Sequence, residues 1–484
     1  MPTPTMLWYD YETTGTDAVR DRPAQFAAIR TGMDLKPVGE PVTLYCAPAV
    51  DVLPHPEACL ITGIAPQDAT RDGLPEAEFA GAVHAVLSEP DTCSAGYNSI
   101  RFDDEVNRNL FYRNFLDPYE HAWKNRNSRW DIMDLARACH ALRPDGIEWP
   151  RDDDGVPSFR LDRLAPANHL EQERAHDARS DVAATIALAR LLRERQPRLY
   201  DWHFKLRSKN RVAADLTAAL PRMQPLLHVT GRYPAARGCL AMVAPIAAHP
   251  DRDGTFIVAD LGVGADTWID LDPDDLTERM FTPRADLPDD IERPPLKEVH
   301  ANRSPFLAPT SVLRGVDTGR IGLDPAACER NLQKIRACDG LRERVTRAFA
   351  ARDGHWPVRE DPECNLYSAF ASPADKRRCE TVRATPAGCL GSTAFGFEDS
   401  RYTKLLFRYR ARNWPDTLDA VERERWRAFV RDKLIRDTET TSLTLEAYRA
   451  VIARLRMQQP AGSPQVLLDQ LDAWGDSVAA EVGI

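Results

Sequence analysis

The chain has 484 residues, enough for about three domains with a core each, and its 43% hydrophobic and 28% charged residues are the balance of a globular protein. No apolar run approaches the roughly 18 residues of a membrane span, and MPTPTMLWYD has no basic segment leading into an apolar one, so neither membrane insertion nor export is expected and the cytoplasm is the expected location. A net charge of −10 excludes a broadly cationic nucleic-acid binder, leaving room for a local basic groove, and ten cysteines without a C-x-x-C pair read as reduced thiols, not a disulfide or zinc framework.

The first element is residues 6–16, MLWYDYETTGT, a strand in which Asp10 and Glu12 stand two apart and so project from one face. Acids are depleted in strands, and a buried charge is costly unless it is paired or bound to a metal. A strand running out into solvent at Thr13-Thr14-Gly15 is the plain alternative. Residues 25–33 and 42–47 continue as strands and suggest a meander; 74–87 is a helix with Phe79, Val83, Val86 and Leu87 on one stripe, and 92–97 is another strand. Phe102 opens a helix whose first turn holds Asp103, Asp104 and Glu105, which by themselves would suit the macrodipole. A helix over 130–142, an acidic proline-containing loop over 144–157 and a short helix starting at 158–161 follow. Then comes HDARSD at 176–181, running into an alanine-rich helix with Asp177 as its cap, His176 just before it and Asp181 about one turn inside. The first domain, residues 1–197, is expected to close at Gln196-Pro197.

Residues 198–350 read as a small β-barrel with helical decoration: short strand-like runs at 226–230, 239–247, 255–261 and 267–271, a proline-rich loop at 283–295 and a return to strand at 296–303. Beyond a linker at 353–362, residues 351–484 are almost wholly helical, with 3.6-residue periodicity over 373–383, 399–413, 418–435, 445–458 and 464–482.

Four acids and a histidine stand out in order: Asp10, Glu12, Asp103, His176 and Asp181. Phosphodiester hydrolysis assisted by two divalent ions needs such a group, because Mg²⁺ and Mn²⁺ are held by carboxylate oxygens. A histidine, with an ordinary pKa of about 6.5, suits the proton transfer from the attacking water. Taken singly, each residue has a plain reading: a loop histidine, a first-turn acid.

The order N-x-x-x-F-D (Asn98, Phe102, Asp103) and H-x-A-x-x-D (His176, Ala178, Asp181) resembles the DEDD superfamily of 3′-to-5′ exonucleases in its histidine branch. DYET at 10–13, DRPAQFAAIR at 21–30, GYNSIRFDDEV at 96–106, FYRNFLDPY at 111–119, NSRWDIMDLARACHALRPDGIEWP at 127–150, PSFRLDRL at 157–164, QPRLYDW at 196–202, KEVHANRSP at 297–305 and KLLFRYRARNWPDTL at 404–418 are similar to bacterial exonuclease I. The resemblance is patchier over 203–295 and 351–400. It implies an α/β RNase H-like exonuclease domain with a mixed sheet flanked by helices, an SH3-like β-barrel and an all-α C-terminal domain, closing over single-stranded DNA in a C-shaped arrangement. It further implies processive release of 5′-mononucleotides from 3′ ends in DNA repair and recombination, two Mg²⁺ ions (or Mn²⁺) held by Asp10, Glu12, Asp103 and Asp181, His176 as the base, and docking of the acidic C-terminal tail of single-stranded-DNA-binding protein. A monomer is expected.

A groove that tracks a strand combines cations with aromatic faces. Arg108, Tyr119, Trp123, Arg137, Phe159 and Arg160 are the candidates nearest the acids in sequence, with Arg160 set to grip phosphate; Lys297, Asn302 and Arg303 would continue the groove, and Glu12 would also meet the terminal nucleotide. Core packing is the alternative for the aromatics, Trp123 above all. Residues 401–412 carry five basic residues, which could face DNA, the acidic tail or solvent. Two other functions use similar residues: an exoribonuclease or proofreading-type exonuclease, and a catalytically silent single-strand-binding scaffold.

Overall fold

The computed structural model describes residues 3–170, 177–351, 359–458 and 465–484. His176 and most of the linker expected at 353–362 lie outside the described residues. By packing, the chain divides into two compact units, one formed by residues 1–128, 172–183 and 358–484, the other by 129–171 and 184–357.

In the first unit, strands β1 (Thr5–Thr13), β2 (Pro23–Gly32), β3 (Val42–Tyr45) and β4 (Thr92–Gly96) lie in the order β3-β2-β1-β4. The meander is β1 to β3, each antiparallel to the next, and β4 joins β1 in parallel. Being interior, β1 is apolar on both faces from Met6 to Tyr9. Its odd-numbered side chains Leu7, Tyr9 and Tyr11 pack with Phe26, Phe79, Val83, Val106 and Leu110, which covers that face with the Glu76–Leu87 and Asp103–Arg113 helices. Strand alternation therefore turns Asp10 and Glu12 to the opposite face. The β1–β2 register slips between Glu12 and Thr13, where the strand ends.

The C-terminal part of this unit is built of the Pro373–Ala384, Ser400–Asn413, Ala420–Ile435, Leu445–Gln458 and Gln465–Val482 helices. Trp426, Val430, Tyr448, Ile452, Leu468 and Val478 form one core with Leu53 and Cys59 from the N-terminal part. Beside it lies a buried ion network. Arg412 holds Asp51 with a two-pronged contact at 2.9 and 2.7 Å, Lys433 Nζ lies 3.1 Å from the same carboxylate, and Arg412 and Arg22 reach Glu363 at 2.6 and 3.0 Å. The basic stretch 401–412 is thereby largely explained: Arg401 pairs with Asp399, Arg408 with Asp361, Arg410 with Glu422 and Arg412 with Asp51, while Lys404 is exposed. The sequence counts these cations but does not show the acids that come to them from other elements.

Strand β5 (Ser128–Asp131) carries the chain into the second unit. There β6 (Leu226–Val229), β7 (Leu240–Ala248), β8 (Thr255–Asp260), β9 (Leu296–His300) and β10 (Phe306–Pro309) form an antiparallel sheet in the order β10-β6-β7-β8-β9. Val212, Leu216, Val243, Val258, Val299 and Leu307 fill its core. The strand expected at 267–271 is a turn; its apolar look comes from Trp268, which is buried without belonging to the sheet. The short β10 ends at Pro309 on the sheet edge, where a missing N–H costs no ladder bond.

Candidate active site

The acids of β1 meet the start of the Ala178–Arg195 helix, and β2 explains how. Gln25, directly opposite Glu12 across β1–β2, is buried; its Nε2 donates to Asp177 Oδ1 at 3.1 Å and its Oε1 accepts from the Ala178 N–H at 3.1 Å. Asp177 also caps the helix by accepting from the Ser180 N–H at 3.3 Å. With its first turn fixed in this way, the helix brings Asp181 to the acids of β1: one carboxylate oxygen each from Asp10, Glu12 and Asp181 lie within 4.8 Å of one another. Gln25 is a positioning residue that sequence reading passed over. The available signal was a polar residue in an otherwise apolar strand, QFAAI, in register with Glu12.

Asp103 arrives from the other direction. Two tyrosines on the packed face of β1 lock its helix, Tyr9 Oη donating to Asp104 Oδ1 and Tyr11 Oη to Asn107 Oδ1, both at 2.7 Å. Asp103 Oδ1 accepts the backbone N–H of Tyr11 at 3.1 Å, between the two acids of β1 in sequence. Asp104 is thus engaged with Tyr9, whereas Asp103 acts on Asp10 electrostatically.

These acids raise one another. The Asp10 carboxyl is pushed well above the usual carboxylate range, by burial first and then by the charges of Asp103, Glu12 and Asp181. Glu12, 9% exposed, is raised to about 8 by burial, Asp181 and Asp177. Hard oxygen donors that repel one another when ionised fit a divalent cation, which turns their repulsion into attraction. Binding such a cation must displace the held protons. Affinity for Mg²⁺ or Mn²⁺ is therefore expected to rise as pH increases from 6 to 8, with proton release, measurable by calorimetry in buffers of different ionisation enthalpy; equal affinity across that range would refute the electrostatics described.

The remaining candidates are spread more widely. Arg108 is partly buried on the Asp103–Arg113 helix, paired with Glu105 and 5.7 Å from the Tyr119 ring. Trp123 is 62% exposed, so the packing alternative fails for it. In the second unit Phe159 is buried against His140 and Trp149, with Arg137 over its ring and paired to Asp134. Exposed Arg160 precedes the Leu161–Ala167 helix and lays its guanidinium on Asp162. Lys297, on β9, sits over the Tyr233 ring, and Asn302 and Arg303 are exposed in the turn that follows.

Three family models match in succession: Exonuclease over residues 7–189, Exonuclease I SH3-like domain over 207–351 and Exonuclease I C-terminal domain over 360–478. Exodeoxyribonuclease I of Escherichia coli K12 is 47% identical over 422 residues, 87% of this chain and 88% of that protein. The chain belongs to the exonuclease I family. Its fold is accordingly an RNase H-like exonuclease domain, an SH3-like domain and a helical C-terminal domain. Among solved structures of the exonuclease I family, the zinc-bound E. coli exonuclease I complex with single-stranded DNA superposes with a TM-score of 0.91 at 43% identity, covering 99% of this chain and all of that one. An SSB/exonuclease I structure with an inhibitor gives 0.89 at 42%, with 99% and 100% covered. An exonuclease domain of this kind depends on a divalent metal, and no described helix is long and apolar enough to cross a membrane.

Proposed function

We infer that the chain is an exodeoxyribonuclease that degrades single-stranded DNA processively from its 3′ end, releasing 5′-mononucleotides. The observation that carries this reading is the carboxylate cluster of Asp10, Glu12 and Asp181 in a chain of the exonuclease I family. In the proposed reaction, water attacks the last phosphodiester, the P–O3′ bond breaks, and the products are a 5′-mononucleotide and a strand one residue shorter with a free 3′ hydroxyl. Asp10, Glu12, Asp103 and Asp181 would hold two Mg²⁺ ions, which when bound supply charge stabilisation at the phosphate and lower the cost of deprotonating water. His176, five residues before Asp181, takes the proton of the attacking water; Glu12 borders the terminal nucleotide. Arg160 and the Lys297, Asn302, Arg303 group serve the strand's phosphates. The acidic tail of single-stranded-DNA-binding protein is the proposed protein partner, the chain acting as a monomer in the cytoplasm.

The test is a time course with Mg²⁺ on 5′-labelled single-stranded DNA, RNA of the same sequence and blunt duplex. Rapid shortening of the DNA single strand alone is expected. Preferential loss of the RNA would favour the exoribonuclease reading, and retention of DNA without release of nucleotides would favour a silent binding scaffold.

A further inference from the structure

The turn that carries Asn302 and Arg303 is held in place by a buried imidazole. It is a single 3-10 turn, Ala301–Arg303, after β9, and the chain leaves it through Ser304, which is buried with φ +48°. That left-handed conformation is one a residue with a side chain adopts only when its surroundings impose it. Three contacts do so here. The Ala301 N–H donates to the Gly254 carbonyl at 2.8 Å, Arg129 Nη2 donates to the Asn302 carbonyl at 2.9 Å, and His203 Nε2 lies 3.0 Å from the Ser304 carbonyl.

His203 stands on the Pro197–Lys205 helix and is fully buried. Its other ring nitrogen, Nδ1, is 3.1 Å from Trp130 Nε1 on β5. An indole N–H only donates and a carbonyl only accepts, so Nδ1 is the bare nitrogen and Nε2 carries the hydrogen. Burial pushes the imidazole down to about 4, so at neutral pH the ring is uncharged and keeps this one tautomer. The ring is therefore a rigid strut, acceptor at the β5 end and donor at the turn. Trp130 falls in the stretch matched by the exonuclease model and Ser304 in that matched by the SH3-like model, and both belong to the second packing unit.

We propose that His203 is a positioning residue for substrate: through Ser304 it fixes the turn so that Asn302 and Arg303 meet the phosphates of the single strand. This rests on the exonuclease reading, in which those two residues serve the strand. It adds that the grip of the SH3-like domain is set from the exonuclease stretch by a group that is itself shielded from DNA.

The experiment alters each end of the imidazole separately and measures binding of the full-length protein to 5′-fluorescent oligothymidylate in EDTA, over a range of salt concentrations. The amide of Gln reaches the Nε2 position and that of Asn the Nδ1 position, so His203→Gln keeps a donor for Ser304 and His203→Asn keeps only an acceptor for Trp130. His203→Asn is expected to weaken binding about 4-fold at about 0.15 M salt and to make the slope of log affinity against log salt shallower by about 0.7, the effect of one phosphate contact on a single strand. His203→Gln should bind like wild type. Each variant leaves one partner of the ring without its bond, so the two melting temperatures should fall alike, and a binding loss confined to His203→Asn cannot come from lost stability. Added to Asn302→Ala with Arg303→Ala, the His203→Asn change should cost nothing further, because its effect passes through those side chains. Wild-type affinity in His203→Asn, equal losses in both variants, or a further loss on the Asn302→Ala, Arg303→Ala background would each overturn the proposal. If Asn302→Ala with Arg303→Ala itself binds like wild type, the turn has no part in holding substrate and the proposal falls. Nucleotide release by wild type with Mg²⁺ is a separate readout, and its absence would refute the exonuclease reading itself.

Discussion

Asp181→Ala is expected to lower the rate of nucleotide release from single-stranded DNA by about 10³-fold or more, with binding of the strand in EDTA retained. The site offers one oxygen from each of Asp10, Glu12 and Asp181 within 4.8 Å, so removing one acid takes away a third of that cluster. Charge stabilisation by bound cations is worth several kcal/mol, and each 1.36 kcal/mol is a factor of ten in rate. The helix itself should survive, because Gln25 and Asp177 fix its first turn. A companion variant separates chemistry from folding. Asp10→Asn removes a carboxyl that burial and three acids push well above its usual range, so the metal-free protein should melt at a higher temperature while turnover collapses. Near wild-type turnover in Asp181→Ala, under saturating Mg²⁺, would place the chemistry elsewhere.

Arg412→Ala is expected to destabilise the fold by about 3–5 kcal/mol in urea unfolding, the cost of breaking a buried pair and leaving one partner uncompensated. Asp51 is fully buried and Arg412 nearly so, with both prongs of the guanidinium on one carboxylate. The same network sets an acid limit. The Arg412 guanidinium and the Lys433 ammonium hold the Asp51 carboxyl well below its usual range against the opposing effect of burial, and Arg412, Arg408 and Arg22 do likewise for Glu363. Both folded values lie below the unfolded ones of about 4, so the stabilisation is fully present above about pH 4 and is lost as pH falls below it. Unfolding free energy should drop steeply below pH 4 in the wild type and less steeply in Arg412→Ala. Parallel slopes would show that the network does not control acid stability.

Much of the architecture was legible because β1, the 74–87 helix and the C-terminal helices keep clean periodicity, and Ser372, Asp399 and Asp419 cap three of those C-terminal helices. Asp10 and Glu12 could be read as a pair from strand alternation alone, and Asp181 from its offset from a capping aspartate. What escaped depended on distant partners. Gln25 looks like any strand glutamine until β2 is placed in register with Glu12. Arg408 and Arg412 look like a nucleic-acid face until Asp361 and Asp51 are brought to them. Trp268 imitates a strand residue because burial, not pleating, selects it, and Trp123 looks like core from its size although the chain leaves it in water.

The division of the chain has a consequence for how such an enzyme can be cut down or recombined. Three family models run in series along the sequence, yet the first packing unit takes its residues from both ends of the chain. Asp51, near the N-terminus, finds both of its cations in the last 80 residues, and Arg22 finds one of its acids at Glu363. A nuclease fragment ending at the SH3-like domain would carry a buried acid with neither cation and an apolar patch around Leu53 and Cys59 with no cover. The nuclease part is therefore not a transferable cassette: inheritance, truncation or fusion has to carry the chain's two ends together.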